Sequence, residues 1–134
     1  MASLILEVIT PLKKVLEEEV ESVVVPASEG YMGVLPRHFP ALALLRPGVL
    51  TYRPVGGALE RMAISGGFVE VGPRKVLVLA DAAEMPGEID VERARRAMER
   101  ARERLRRPHP GIDIERARLA LERAKARLKV AETR

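Results

Sequence analysis

The chain has 134 residues, of which 47% are hydrophobic, 3% aromatic and 31% charged, and its formal net charge is +4. That length suits one domain or two small ones around an aliphatic core. The absence of cysteine excludes a disulfide framework and thiolate chemistry, and no apolar run approaches the roughly 20 residues that span a bilayer. Met1-Ala2-Ser3-Leu4 lacks the basic start of a signal peptide, so a cytosolic protein is expected, free or attached to a membrane-bound assembly.

Leu4 to Thr10 and Val20 to Val25 read as strands, the second ended by Pro26. Glu17-Glu18-Glu19 between them reads as a solvated face, and Ser28 to Gly33 as turn chemistry. Ala41 to Leu45 is short and reads as buried. Val49 to Arg53 and Leu59 to Ile64 flank Gly56-Gly57, a tight hairpin turn. Phe68 to Val71 and Lys75 to Ala80 flank Gly72-Pro73-Arg74, a second hairpin. Gly66-Gly67 lacks the Gly-Lys-Ser/Thr of a phosphate loop and predicts a kink or a close backbone approach. Short strands with Gly/Pro turns at this spacing predict a β-sandwich or barrel.

Met85-Pro86-Gly87 breaks the pattern and marks a hinge. Beyond it the sequence repeats itself: Ile89-Asp90-Val91-Glu92-Arg93-Ala94-Arg95 returns 23 residues later as Ile112-Asp113-Ile114-Glu115-Arg116-Ala117-Arg118. Asp90 and Asp113 stand at N-cap positions, because a carboxylate accepts a free backbone N–H at the positive end of a helix. Two amphipathic helices over 90–106 and 113–131, broken by Pro108-His109-Pro110-Gly111, make an antiparallel hairpin. Their apolar stripes are Ala94, Ala97, Met98, Ala101 and Leu105, and Ala117, Ala120, Leu121, Ala124 and Leu128. The fold class is therefore α+β, with a sandwich over 1–85 and a hairpin over 86–134. Residues 1–85 carry 8 Lys/Arg against 10 Asp/Glu, and residues 86–134 carry 15 against 9, so the hairpin alone is basic.

Antiparallel pairing about residues 109–110 brings Arg93, Arg100, Arg123 and Arg127 to one face, with Arg116 nearer the loop. Guanidiniums so gathered repel one another unless an anion bridges them, and their forked donors suit phosphate. A polyphosphate nucleotide is the expected ligand. The competing expectation is a solvated surface on which these arginines pair with Glu92, Glu99 and Glu122. His38 and His109 read as turn and loop residues. No metal site or general acid–base pair is found, so a catalytic role has no residues behind it.

Glu29-Gly30-Tyr31-Met32-Gly33-Val34-Leu35-Pro36-Arg37-His38-Phe39-Pro40 resembles the E-G-x-x-G-(I/V)-L-P-x-H-x-P segment of the epsilon subunits of F-type ATP synthases, although Arg37 stands where many members carry glycine. Ile64-Ser65-Gly66-Gly67-Phe68-Val69-Glu70-Val71 is similar to the family's second signature, and Ile89-Asp90-Val91-Glu92-Arg93-Ala94 to its I/L-D-x-x-R-A motif. The resemblance covers essentially the whole chain. It implies a non-catalytic rotor subunit, peripheral to the cytoplasmic face of the bacterial cell membrane. Its sandwich would bind the gamma subunit and the ring of c subunits. Its hairpin would fold against the sandwich, or extend towards the alpha and beta subunits and inhibit ATP hydrolysis. The resemblance also implies regulatory ATP binding to the folded form through Glu84, Ile89, Asp90, Arg93, Ala94, Arg100, Arg123 and Arg127, with no catalytic cofactor and no metal. The alternative from another class is a free-standing nucleotide or nucleic-acid sensor using the basic hairpin. That hairpin carries no aromatic residue on which bases would stack.

Overall fold

In the computed structural model, which describes residues 2–132, nine strands precede two helices. The outer ends of the expected segments, Met1 and Thr133-Arg134, lie outside the described residues. The strands are β1 (Leu4–Ile9), β2 (Lys14–Ala27), β3 (Gly30–Val34), β4 (Ala41–Leu45), β5 (Gly48–Pro54), β6 (Glu60–Ile64), β7 (Gly67–Val71), β8 (Lys75–Ala80) and β9 (Ala83–Glu84). They run β1-β8-β7-β4-β2-β5-β6-β9, with β3 on β2, and β1 also pairs β2. The long β2 thus joins two layers. Its first half pairs β1, and its second half pairs β3 and β5 past a register shift between Val20 and Ser22. Between the layers lie Leu4, Leu6, Val8, Val20, Leu50, Tyr52, Met62, Ile64, Val69 and Val78, all fully or almost fully buried. Alternate positions of each strand supply this core.

Four local expectations change. β2 starts at Lys14 rather than Val20, so Glu17-Glu18-Glu19 form a solvated face within a strand, with Glu17 and Glu19 exposed; Glu17 pairs with Lys14 and Glu19 accepts the Ser3 hydroxyl. Pro26 does not end that strand: its carbonyl accepts Arg46 N–H at 2.9 Å, and pairing continues to Ala27 opposite Gly30. Gly30–Val34 is a strand, and the turn is confined to Ser28-Glu29. β4 is not buried either, because Leu42 is 73% exposed and Leu44 is also exposed.

Two backbone positions bear on the signatures. Gly67 has φ 128°, and a Cβ there would lie 2.0 Å from Leu79 O, so the close approach expected of Gly66-Gly67 is met at a backbone atom. Arg37 is the positive-φ non-glycine residue among those described, at φ 69°. The position where many members of the resembled family carry glycine is therefore left-handed here, with an arginine in it.

A single 3-10 turn at Pro86–Glu88 follows β9, tied by Met85 N–H donating to Glu88 Oε1 at 2.9 Å. α1 (Val91–Arg106) and α2 (Ile114–Ala131) follow. Asp90 Oδ1 accepts Arg93 N–H and Asp113 Oδ1 accepts Arg116 N–H, each at 3.1 Å, so the repeated aspartates cap the repeated helices. Ala94 and Ala101 of α1 and Ala117 and Ala124 of α2 are buried along the seam. α2 also has a second apolar face. Ala126 and Val130 pack with Ala63 of β6, Val49 of β5 and Ile89, and so seat the hairpin on the sandwich.

Candidate functional site

The seam between α1 and α2 opens on one side into a cleft of about 410 Å³. Its wall takes the cap residue Asp90 and Arg93, Ala94, Ala97 and Arg100 of α1, and Ala120, Arg123 and Arg127 from α2. Glu84 of β9 and Glu88 of the 3-10 turn close the end nearest the sandwich. The local causes are plain. Residues 93, 97 and 100 lie three or four apart and share one face of α1, as 120, 123 and 127 do on α2. Small alanines at 94, 97 and 120 let the backbones approach, so the arginine stems border a hollow rather than filling it.

Charge pairing separates the arginines of this hairpin into two sets. Arg95, Arg102, Arg106 and Arg118 each pair with the glutamate three residues earlier: Glu92, Glu99, Glu103 and Glu115. Lys125 takes Glu122. Arg93, Arg100 and Arg123, which line the cleft, have no carboxylate within 4.0 Å among the described residues. Arg96, which does not line it, also lacks one. The glutamates expected to neutralise the cleft arginines thus serve other cations, so the expected pairing with Glu92, Glu99 and Glu122 is not made, while Arg93 and Arg100 are solvent-exposed.

Arg127 is the exception on the cleft wall. Its Nε donates to Glu84 Oε1 at 2.5 Å, and both side chains are about two-thirds buried, at 31% and 30% exposure. This ion pair joins α2 to β9. β9 itself reaches the hairpin because it pairs antiparallel with the end of β6, Ala63 opposite Glu84.

Of the eight residues carried over from the resemblance, Glu84, Asp90, Arg93, Ala94, Arg100, Arg123 and Arg127 come together on this wall. Ile89 does not: it is 5% exposed and packs with Ala63, Ala126 and Val130. Its side chain seats the hairpin, and only its neighbour Asp90 faces the cleft. Glu88, Ala97 and Ala120 line the wall without having been singled out as site residues. Spacing contained the signal for Ala97 and Ala120, which were assigned to the seam; Glu88 arrives through the 3-10 turn, which spacing does not give.

Two further surfaces stand out on the sandwich. Ile9, Leu79, Phe68 and Leu44 are successive register partners across β1, β8, β7 and β4, and Leu79, Phe68 and Leu44 are exposed. Leu42 and Leu77 extend this row on the next register line, among Glu70 and Glu7. Glu7 receives Lys75 Nζ at 2.8 Å and Lys14 Nζ at 3.0 Å. Those hydrogen bonds, Lys75 first, hold its carboxyl below the ordinary value of 4.5. The second surface is the β3–β4 loop, where Phe39 is 85% exposed and Leu35 is exposed beside it. Arg37 N–H donates to Pro73 O at 2.9 Å and fastens this loop to the β7–β8 turn. His38 Nδ1 lies 2.6 Å from Phe39 O and is occupied in the turn, and His109 Nδ1 accepts Gly111 N–H.

A β-sandwich with an apolar outer face, followed by a two-helix hairpin whose cleft holds uncompensated arginines, sets the class to which the chain is compared. Residues 3–86 match the family described as ATP synthase, delta/epsilon chain, beta-sandwich domain, and residues 88–132 match its long alpha-helix domain. The chain belongs to the epsilon subunits of ATP synthase, a non-catalytic member of that complex. It is 56% identical over 112 residues to the ATP synthase epsilon chain of Moorella thermoacetica, covering 84% of each chain. It is also 56% identical over 105 residues to that of Carboxydothermus hydrogenoformans, covering 78% of each. A chain of the Euglena gracilis mitochondrial ATP synthase, solved with OSCP, F1 and the c-ring, superposes with a TM-score of 0.83 at 31% identity, over 98% of this chain and 82% of that one. Membership of this family sets aside the free-standing sensor. No helix among the described residues is long and apolar enough to cross a membrane.

Proposed function

We propose that this subunit of the central stalk supports coupling of proton transport to ATP synthesis, and that its hairpin restrains ATP hydrolysis when extended towards alpha and beta. ATP in the cleft favours the folded, non-inhibitory arm. The observation that carries this reading is the convergence of Arg93, Arg100 and Arg123, none with a carboxylate, on one cleft between two helices. Such a cluster favours a polyanion, since each guanidinium offers a fork to phosphate oxygens. Arg93 and Arg100 sit on α1 and Arg123 on α2, so a triphosphate bridging them binds only the paired helices. Asp90 and the neighbouring backbone hold the adenine end, and Glu84, already joined to Arg127, meets the ribose.

The apolar row Ile9–Leu79–Phe68–Leu44 is the surface offered to the gamma subunit. It lies on the β1-β8-β7-β4 layer, whereas the hairpin seats on β5 and β6, so neither contact obstructs the other. The loop carrying Leu35 and Phe39 is the end offered to the c ring, and this contact holds the subunit at the cytoplasmic side of the membrane. Calorimetric titration with ATP tests the reading. The Arg93→Ala/Arg123→Ala double variant loses at least tenfold in affinity, because charge-assisted contacts contribute roughly 1.5–3 kcal/mol each. ADP binds less tightly than ATP. Equal ATP affinity in the variant and the parent overturns the nucleotide site while leaving the subunit assignment intact.

A further inference from the structure

We propose that the tip of the hairpin holds a second anion subsite, formed by Arg104, Arg116 and Arg123, that takes a phosphate-class anion such as inorganic pyrophosphate. The seam opens there into a second hollow of about 490 Å³, between α1, α2 and the connection at Gly111-Ile112-Asp113. Arg104 enters from α1, and Arg116 and Arg123 enter from α2. None of the three has a carboxylate within 4.0 Å among the described residues. Their near neighbours Arg102, Arg106 and Arg118 are each neutralised by a glutamate three residues earlier. At this end of the hairpin the arginines without a carboxylate are thus the ones that line the hollow, as Arg93 and Arg100 line the cleft nearer the sandwich.

Asp113 is the carboxylate on this wall, and its Oδ1 is engaged with Arg116 N–H at 3.1 Å as the helix cap. Three guanidiniums against one capping carboxylate leave the wall net positive. Arg104 and Arg116 do not line the nucleotide cleft, so a nucleotide there leaves both uncompensated. Arg104 lies four residues beyond Arg100, about 6 Å further along α1. The two hollows share Ala120 and Arg123 and form one groove. An anion at the tip bridges Arg104 of one helix to Arg116 of the other, so it closes the hairpin from the loop end. The phosphoryl oxygens come from a free phosphate or pyrophosphate, or from the distal end of a polyphosphate long enough to run from one hollow into the other.

The full chain, isotope-labelled, is titrated with pyrophosphate and followed by NMR at the arginine Nε–Hε groups. Saturable shifts at Arg104 and Arg116 are expected without nucleotide and again with ATP present. Arg104→Ala/Arg116→Ala, checked for helix content by circular dichroism, weakens pyrophosphate binding about tenfold or more and still binds ATP. Inorganic tripolyphosphate and longer chains separate the two sources. If the natural ligand is a long chain, it displaces ATP and pyrophosphate together, whereas pyrophosphate alone leaves ATP bound. Shifts confined to Arg93 and Arg100, full competition between pyrophosphate and ATP, or unchanged pyrophosphate affinity in the variant overturns the proposal. Because the first titration contains no nucleotide, a failure of ATP to bind overturns the nucleotide reading without touching this one.

Discussion

The Glu84–Arg127 pair is the one ion pair between the hairpin helices and a strand of the sandwich among the described residues, and removing it should loosen the arm before anything else. Exposed pairs contribute about 0–1 kcal/mol, and breaking a fully buried one costs about 3–5 kcal/mol. With side chains at 30% and 31% exposure the pair falls between these limits, and a cost of about 1.5–2 kcal/mol follows for Glu84→Ala. Each 1.4 kcal/mol is a factor of about ten, so the folded arm loses about ten- to thirtyfold against the extended one in the absence of nucleotide. Glu84→Gln keeps an acceptor for Arg127 Nε and should lose less.

The chain has no cysteine, so two introduced at the exposed positions Glu60 of β6 and Lys125 of α2 take spin labels without interference. The short-distance population between them should shrink in Glu84→Ala, and the amides of α2 should exchange with deuterium about ten- to thirtyfold faster. Strands β1, β7 and β8 should keep their protection. Arg95→Ala, which breaks the exposed pair to Glu92, serves as the control and should change neither readout. Matching distance distributions in Glu84→Ala and its parent would refute the claim that this pair latches the arm.

Two other outcomes follow from the sandwich. Arg37→Gly should raise the unfolding midpoint by a few degrees, because it relieves about 1–2 kcal/mol of left-handed strain and gives back about 0.4–1 kcal/mol to the freer unfolded chain; a lower midpoint would contradict the strain at φ 69°. Glu7 has its carboxyl held below 4.5 in the folded protein by hydrogen bonds from Lys75 and Lys14. Its stabilisation is therefore present above the unfolded value and fades as pH falls through the folded value. Acid unfolding curves should show the parent losing stability below about pH 4.5 more steeply than Glu7→Gln, and parallel curves would rule this out.

Much of the fold was legible because hairpin turns and helix caps are local. Gly56-Gly57, Gly72-Pro73-Arg74, Asp90 and Asp113 each do locally what their chemistry prescribes. The errors share a different origin. Leu42 and Leu44 read as buried because an apolar strand whose leucines face solvent looks, in sequence, like one facing a core. The acidic run at 17–19 concealed the first half of β2, whose pairing with β1 is long-range. Antiparallel register foretold the gathering of Arg93, Arg100, Arg123 and Arg127 from helical geometry alone. It did not foretell that Arg127 is held by Glu84, since that contact needs β9 to pair with β6. Nor did it separate the two faces of α2: Ala126 and Val130 lie off the stripe that meets α1 and are legible as contacts only once β5 and β6 are in place.

The folded arm rests on small terms. An alanine seam buries little apolar area per residue, at about 25 cal/mol per Å². The seat on the sandwich is a patch of Ala63, Ala126, Val130 and Ile89, and the latch contributes about 1.5–2 kcal/mol by the reasoning above. Against these stands the mutual repulsion of arginines that pairing the helices brings together. A ligand bound only by the folded form adds RT ln(1 + [L]/Kd), about 2.7 kcal/mol at a hundredfold excess over Kd. That gain is comparable to the latch itself, so under the proposed function ligand occupancy decides between the folded and the extended state of the arm. A leucine-filled seam would deepen the folded state by several such increments and leave the ligand nothing to decide. Under the proposed function the seam alanines therefore do two things at once: Ala94, Ala97, Ala117 and Ala120 border the hollows that the arginines surround, and with Ala101 and Ala124 they keep the folded state shallow enough for an anion to govern it.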